Sequence, residues 1–320
     1  MKENLIVAQT GVVKSYVSFR CPALADWRWP TVDIVGHRPG PWLAVVAGIH
    51  VNETSSIEAA IRLQRAFDPA KLSGRVSIMP VVNLPAIPHR SQYVCPLDGK
   101  NINFSFPGRP DGTFAEAIAH ALLTEWAADA DCLVDLHGGD LCENVAHFTV
   151  CQTTGRAEFD ARNLDLARCF DSELIVVLDS SHLDQPGRSC TGRARYFKHA
   201  AFAEAGRIGM IEENNIAFHY EGVQRIAHYL GMITAAPPPR REAQLVDRYL
   251  WLAAPVDGFY RYRFEVGQRF AAGTLLAIAE DTFGETIAEI RAPEAGFILW
   301  TITHAFVTGG SDIMGLGIAG

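Results

Sequence analysis

The chain has 320 residues, and its hydrophobic fraction of 48% and charged fraction of 20% exclude a globally disordered protein. Its formal net charge of −8 is not typical of nucleic-acid-binding proteins, because these carry a basic face. No apolar run approaches the roughly 20 residues that span a bilayer. Seven cysteines without a C-x-x-C pair do not form a disulfide framework, so we expect a reduced, cytoplasmic protein with neither a membrane nor a nucleic-acid partner.

Strand and helix patterns alternate along the first three quarters of the chain. Helices are predicted at 56–67 and 114–128, and the pairs Ser55 with Glu58 and Thr113 with Glu116 have capping-box spacing at their starts. Short apolar runs predict strands at 42–48, 76–82, 132–135, 148–151, 174–178 and 208–211. This alternation predicts an α/β fold with a largely parallel or mixed central sheet flanked by helices.

The pattern changes after three prolines at 237–239. One last helix is predicted at 240–252, and beyond it glycines separate short β-like runs. We therefore predict two domains: an α/β domain at 1–252 and a small all-β domain, of sandwich or barrel type, at 253–320.

Two familiar motifs in this sequence do not support the functions usually read from them. The pattern Gly315-x-Gly317-x-x-Gly320 matches the glycine signature of dinucleotide sites, but no helix follows it in the sequence, so we do not interpret it as one. The C-terminal β region is similar to a lipoyl or biotinyl carrier. The last lysine of the sequence is Lys198, however, and no amine is available there for cofactor attachment.

The first candidate site residues follow the apolar run at 42–48. His50 comes directly after this predicted strand, and Glu53 precedes the helix. Sites in open α/β sheets form at the carboxyl ends of strands, and an imidazole with a carboxylate supplies two of the three protein ligands of a catalytic zinc. A surface histidine beside a helix-capping glutamate is the alternative interpretation at this point.

A second predicted strand, at 132–135, leads into His137 and two glycines. Asp135 lies two residues before this histidine and therefore on the same side of an extended strand. There it can accept the second ring N–H of a metal-bound imidazole. A strand-end turn with a hydrogen-bonded histidine is the alternative.

A third predicted strand, at 208–211, ends in the two carboxylates Glu212 and Glu213. A carboxylate near a metal can act as general base, although a solvated strand end has the same pattern. The long stretch 83–108 between a strand and a helix is rich in Asn, Pro and Gly, and ordered loops of this length are often functional.

Taken in chain order, these pieces resemble the succinylglutamate desuccinylase/aspartoacylase family, zinc amidohydrolases related to the M14 metallocarboxypeptidases. The shared order is H-x-x-E at 50–53, N-x-P-A at 83–86, D-G-K-N-x-N-x-x-F-P-G at 98–108, D-x-H-G-G-D at 135–140 and then a strand-end Glu. The resemblance covers about 40–220 and the C-terminal β region. It implies a zinc-carboxypeptidase-like mixed sheet flanked by helices, with a small C-terminal all-β domain.

The resemblance also implies roles for individual residues. His50, Glu53 and His137 would bind one Zn²⁺ per chain. Glu212 would be the catalytic general base and acid, and Glu213 is its adjacent rival.

The substrate-binding positions match the family less well. Asn103, with Asn101 beside it, matches the family's substrate-holding Asn, but Phe104 stands where the family commonly has an Arg that contacts a substrate carboxylate. A second family Arg, which polarises the scissile carbonyl, falls at Gln92. Arg90 has the same side-chain parity in an extended chain and is expected to take over this catalytic role.

These observations predict a zinc-dependent hydrolase that cleaves the amide bond of a small N-acyl amino acid or a related amide. A metallocarboxypeptidase acting on peptides would use the same metal ligands. A metal-binding relative without turnover is the third hypothesis, motivated by Gln92 and Phe104. A homo-oligomer is possible, because the C-terminal β region can cap its own active site or dock on a neighbouring copy.

Overall fold

The structure is a computed structural model that describes residues 10–234 and 242–319. The α-helices of these residues are α1 (Thr54–Leu63), α2 (Phe114–Ala121), α3 (Ala157–Arg168), α4 (Ser189–Ala194) and α5 (Glu213–Tyr229). The strands are β1 (Gly11–Val17), β2 (Trp29–Val35), β3 (Arg38–Ala47), β4 (Ser73–Met79), β5 (Cys132–His137), β6 (Glu143–Gln152), β7 (Leu174–Leu178), β8 (His199–Arg207), β9 (Gln244–Val246), β10 (Arg248–Ala253), β11 (Gly258–Tyr262), β12 (Arg269–Phe270), β13 (Leu275–Glu280), β14 (Thr286–Arg291), β15 (Gly296–Ile302), β16 (Phe306–Val307) and β17 (Asp312–Ile318).

A large mixed sheet forms the centre of the molecule. Its strands run in the order β1-β2-β4-β3-β5-β8-β6-β15-β17-β10, and β7, β9 and β12 pair at its sides. The strands β4, β3, β5 and β8 are parallel to one another, which brings the carboxyl ends of β3, β5 and β8 to one edge. The predicted α/β fold with a mixed central sheet is therefore confirmed.

Helices cover both faces of this sheet. Apolar side chains of α1, α3 and α5, such as Leu63, Leu166 and Ile226, pack with the sheet in one buried cluster. Ile118 of α2 and Cys190 of α4 belong to a second buried cluster on the opposite face. Within residues 10–234 and 242–319, no helix has both the length and the apolar character needed to cross a lipid bilayer.

The two predicted helices are present with different ends. Helix α2 begins at Phe114 as predicted, and the capping box of Thr113 and Glu116 is formed. Its α-helical part ends at Ala121, and a π-helical turn continues to Trp126. Helix α1 begins at Thr54 rather than residue 56, and its N-cap position is Glu53, so the capping box predicted from Ser55 and Glu58 is wrong.

Two element predictions are wrong for tertiary reasons. The strand predicted at 208–211 is a turn in which Ile208 has a left-handed φ of 41°, and the real strand, β8, ends at Arg207. The part of the predicted helix 240–252 that the structure describes contains β9 and β10 instead. Strand β10 pairs with β17, a partner more than 50 residues away that a local pattern cannot reveal. The prolines at 237–239 lie outside the described residues.

The C-terminal region contributes to two sheets. Strands β14, β13, β11 and β16 form a separate four-stranded antiparallel sheet, as expected for a small β region. Strands β15, β17 and β10 extend the central sheet from β6. Strand β10 spans the boundary predicted between residues 252 and 253, and the division into two domains stays a prediction.

Candidate metal centre and active-site cavity

Three buried side chains meet at the carboxyl edge of the parallel strands. His50 follows β3, Glu53 precedes α1, and His137 is the last residue of β5. The Nδ1 atom of His50 lies 2.6 Å from Glu53 Oε1, and the Nδ1 atom of His137 lies 3.0 Å from Glu53 Oε2. One ligand atom from each of the three residues lies within 4.8 Å of the other two, which is the convergence that a single metal ion requires.

The other ring nitrogen of each histidine faces a second polar partner. Nε2 of His50 lies 3.0 Å from Asn101 Oδ1, and Nε2 of His137 lies 3.1 Å from Asp135 Oδ1. Neither ring nitrogen of buried His137 has a hydrogen bond of normal geometry. Both Nδ1 atoms point towards the carboxylate of Glu53, and both Nε2 atoms face a polar side chain on the other side of the ring. Divalent-cation sites have this arrangement of donor atoms, so these residues fit zinc.

The charges around the three side chains also favour a cation. Burial by itself lowers the pKa of His137, but Asp135 and Glu53 outweigh it, so the pKa is raised well above its usual value. Burial by itself raises the pKa of Glu53, and the two histidines outweigh it and lower the pKa to about 2. The carboxylates therefore stabilise positive charge at this point.

A further candidate side chain, Glu204, also lines a cavity beside His50 and Glu53, and it was not identified from the sequence. It lies on β8 in register with His137 on β5, so that the two side chains share one face of the sheet. Burial, together with the nearby charge of Glu53, raises the pKa of Glu204 to about 8, although His137 opposes this rise. The sequence did offer one indication of a functional residue here, because Glu204 is the single carboxylate within the otherwise apolar, alanine-rich run at 200–206.

The structure does not bring Glu212 or Glu213 to the metal centre. Glu212 lies at the start of α5, accepts hydrogen bonds from Arg207 and Asn215, and lines a different cavity of about 820 Å³. The bond from Arg207 lowers the pKa of Glu212, which is the opposite of what a general base near neutral pH needs. Glu213 pairs with Arg62 on α1.

A cavity of about 420 Å³ opens beside His50, Glu53 and Glu204. This volume suits a small molecule. The substrate-binding residues that the resemblance implied are brought together here, since Asn101, Asn103, Gln92 and Phe104 all line the cavity.

Arg90 is not among the described residues that line the cavity, and it is exposed with a left-handed φ of 48°. Among the described lining residues, Arg188 is the one arginine or lysine. Its guanidinium carbon lies 5.6 Å from the ring centre of Phe202 and 5.7 Å from that of Tyr249, and its Nε is buried without a hydrogen-bond partner. The guanidinium of Arg188 therefore places a positive charge at the cavity, where it can attract a substrate anion.

The end of the chain supplies one wall of the same cavity. Tyr249 and Trp251 of β10, Trp300 of β15 and Asp312 of β17 are among its lining residues. The C-terminal region therefore covers the active-site cavity of its own chain. The sequence left open whether this region covers its own active site or a neighbouring copy, because the pairing of β15 with β6 joins residues about 150 positions apart.

Comparisons with known proteins agree with this architecture. Residues 39–230 match the family model for the succinylglutamate desuccinylase/aspartoacylase catalytic domain. The N-alpha-acetyl-L-2,4-diaminobutyric acid deacetylase of Halomonas elongata is 26% identical over 273 residues, which cover 83% of this chain and 79% of that protein. The product-bound ectoine utilization protein EutE (DoeB) of Ruegeria pomeroyi superposes with a TM-score of 0.85 at 23% identity, over 97% of this chain and 96% of that one. A succinylglutamate desuccinylase/aspartoacylase of Rhodobacter sphaeroides has a TM-score of 0.81 at 22% identity, over 97% of both chains.

Proposed function

Because the chain belongs to the succinylglutamate desuccinylase/aspartoacylase family, we propose that it is a zinc-dependent deacylase that hydrolyses the amide bond of a small N-acyl amino acid. The deacetylase from Halomonas elongata supports amide hydrolysis as the reaction. The observation that carries the proposal is the buried group His50, Glu53 and His137 beside Glu204, at the base of a small cavity.

His50, Glu53 and His137 would hold the metal ion. A bound Zn²⁺ lowers the pKa of water and polarises the acyl carbonyl. Asp135 orients His137 from behind, and it is itself held by the hydroxyl of Ser189 at the start of α4.

Glu204 is the proposed general base and acid. Its carboxylate takes a proton from the attacking water while the water oxygen forms a bond to the acyl carbon. The C–N bond then breaks, and Glu204 delivers the proton to the leaving amine. The acyl group leaves as a carboxylic acid and the amino acid as a free amine. Burial and nearby Glu53 favour the protonated form of Glu204, while a cation favours the ionised form, so the group can both accept and give a proton near neutral pH.

Arg188 is the proposed anchor for the carboxylate of the amino acid, the role for which the family commonly has an Arg at the position of Phe104. Its guanidinium lies near the rings of Phe202 and Tyr249, and a planar guanidinium can bind a carboxylate through two parallel N–H bonds. Asn101, Asn103, Gln92 and Phe104 are proposed to contact the acyl part.

The test compares wild-type protein with Glu204→Gln and His137→Ala. Zinc content is measured first, and then hydrolysis of N-acetyl, N-formyl and N-succinyl amino acids is measured on zinc-loaded protein. We expect hydrolysis by the wild type, zinc binding without turnover in Glu204→Gln, and loss of zinc in His137→Ala. Cleavage of dipeptides in preference to N-acyl amino acids would favour the metallocarboxypeptidase, and zinc binding without any hydrolysis would favour the inactive relative. The cytoplasmic location and the homo-oligomer stay predictions.

A further inference from the structure

Two uncharged hydrogen-bond donors meet at one point on the wall of the active-site cavity. The side-chain amide of Gln92 donates a hydrogen bond to Sγ of Cys142, and the hydroxyl oxygen of Tyr93 lies 3.7 Å from the same sulfur. All three residues line the cavity. Because a thiol is a weak acceptor, both donors can exchange it for a stronger acceptor on a substrate at small cost.

This part of the wall adjoins the metal centre. The ring centre of Tyr93 lies 5.9 Å from that of His50, and the two ring planes are almost perpendicular at 87°. His50 is one of the three proposed metal ligands, and the scissile acyl group has to bind beside them. The described arginine of the cavity, Arg188, is already assigned to the carboxylate of the amino acid, so these two uncharged side chains are the donors that remain next to His50 on this wall.

The backbone that carries the two donors is held in a strained turn. Tyr93 has a left-handed φ of 59°, and the N–H of Val94 donates to the carbonyl oxygen of Gln92 at 2.7 Å, so the chain reverses direction over three residues. Such a turn is rare and strained for a bulky residue, and strain of this kind is concentrated at functional sites.

Two buried polar side chains connect this turn to the loops that carry the metal ligands. Oδ2 of Asp140 accepts the backbone N–H of Tyr93 at 3.1 Å, and Oδ1 of Asp140 accepts the side-chain amide of Asn52 at 2.9 Å. Asn52 also donates to the backbone carbonyl of Ser91 at 3.2 Å. Asn52 lies within the H-x-x-E motif and Asp140 within the D-x-H-G-G-D motif, so the turn is fixed relative to the metal centre.

We propose that Gln92 and Tyr93 form an uncharged oxyanion site, in which the amide N–H and the phenol O–H donate hydrogen bonds to the acyl oxygen of the substrate. Asp140 and Asn52 are the positioning residues. This inference rests on the proposed deacylase function, and it gives the carbonyl-polarising role predicted for Arg90 to other side chains.

The two donors act on charge that develops during the reaction. When the water oxygen bonds to the acyl carbon, one electron pair of the C=O double bond moves onto the acyl oxygen. When the C–N bond breaks, this pair returns and the C=O double bond forms again, while both donors keep their protons. Donors that are held in place before the reaction stabilise this charged state more than the uncharged substrate.

Gln92→Met and Tyr93→Phe each remove one donor and keep most of the side-chain volume. Loss of one oxyanion donor costs about 10²- to 10³-fold in kcat where no metal shares the charge, so we expect a fall of at least about tenfold in each variant. Zinc content stays unchanged and KM stays within about threefold, because the donors act on the transition state. Arg90→Gln is the control, since Arg90 is exposed and does not line the cavity. A tenfold loss of kcat in Arg90→Gln alone would overturn the proposal.

Asp140→Asn tests the positioning role, because it removes one of the two acceptor oxygens that hold the turn. We expect kcat to fall about tenfold with KM within about threefold, since a displaced turn weakens hydrogen bonds to a charged acceptor. A lower Tm with unchanged kcat would show that Asp140 is only structural and would overturn its positioning role.

A binding measurement separates this inference from the deacylase proposal. Titration calorimetry compares methylphosphonate, a tetrahedral anion, with acetate, a planar one, on zinc-loaded wild type, Gln92→Met and Tyr93→Phe. We expect each variant to weaken methylphosphonate binding about tenfold and acetate binding less than about threefold. If no N-acyl amino acid is hydrolysed but methylphosphonate binding depends on both residues in this way, the oxyanion site stands and the deacylase proposal fails. If hydrolysis occurs and neither variant changes kcat or methylphosphonate binding, the oxyanion site is overturned and the deacylase proposal stands.

Discussion

Replacing Glu204 by Gln tests which residue is the general base, since the sequence suggested Glu212 and the structure favours Glu204. The amide has the size of the carboxylate and keeps the packing of β8 against β5, but it cannot take a proton from water. A positioned general base contributes about 10²- to 10⁴-fold to rate, which corresponds to about 3–5 kcal/mol of barrier. We therefore expect kcat of Glu204→Gln to fall by at least 10²-fold, with zinc content unchanged.

Glu212→Gln is the matched comparison. Its carboxylate pairs with Arg207, whose side chain is 52% exposed, and such surface pairs contribute about 0.2–1 kcal/mol to stability. We expect this variant to lose up to about 1 kcal/mol in free energy of unfolding and to keep kcat within about twofold of wild type, because Glu212 does not line the cavity of the metal centre.

The assay measures hydrolysis of one N-acyl amino acid at several pH values, with zinc content determined for each preparation. Urea unfolding of both variants gives the stabilities. Undiminished turnover in Glu204→Gln, or a hundredfold loss in Glu212→Gln at equal zinc content, would refute the assignment of Glu204 and return the role to the residue that the sequence suggested.

Three other outcomes are expected. Removal of metal by a chelator abolishes activity and lowers Tm, and one equivalent of Zn²⁺ per chain restores both, because the ligands converge only in the folded state; full activity after chelation would contradict the metal site. Burial lowers the pKa of His219 to about 3, below its unfolded value of ~6.5, so its contribution to stability is complete above pH 6.5 and is lost as pH falls towards 3. Urea unfolding of His219→Gln is then expected to show a pH slope shallower by up to ~1.4 kcal/mol per pH unit in this range, and an identical slope would speak against it. Gly315→Ala forces Trp300 to move and costs about 1–3 kcal/mol in urea unfolding, and a neutral result would show that the indole has room.

The residues at the ends of β3 and β5 could be predicted because a simple rule places them. An apolar run followed by a polar side chain marks the carboxyl end of a buried strand, and neighbouring parallel strands bring such ends together. The rule marked His50, Glu53 and His137 as candidates, and the family resemblance implied that they form one ligand set; the structure brings them within reach of one another.

Glu204 could not be predicted by the same rule because it lies within β8 rather than after it. Local apolarity instead pointed to 208–211, but Ile208 and Ile211 are exposed and the chain turns there at Gly209, with φ of 64°. The apolar residues of this exposed turn have the sequence pattern of a buried strand, but β8 ends before them, at Arg207. Only the register between β8 and β5 identifies Glu204.

The C-terminal wall was hidden for a related reason. Residues of β10 have acceptable helix propensity, and only antiparallel pairing with β17 makes them a strand. Long-range pairing of this kind depends on which other strand edges are free, and a local window of sequence carries no such information.

Because β15, β17 and β10 extend the central sheet from β6, the strands that form one wall of the cavity are also part of that sheet. A substitution that disturbs their pairing is therefore expected to change both the shape of the cavity and the free energy of unfolding. Each activity measurement on a variant of this wall needs a stability measurement beside it, since a loss of turnover there has two origins.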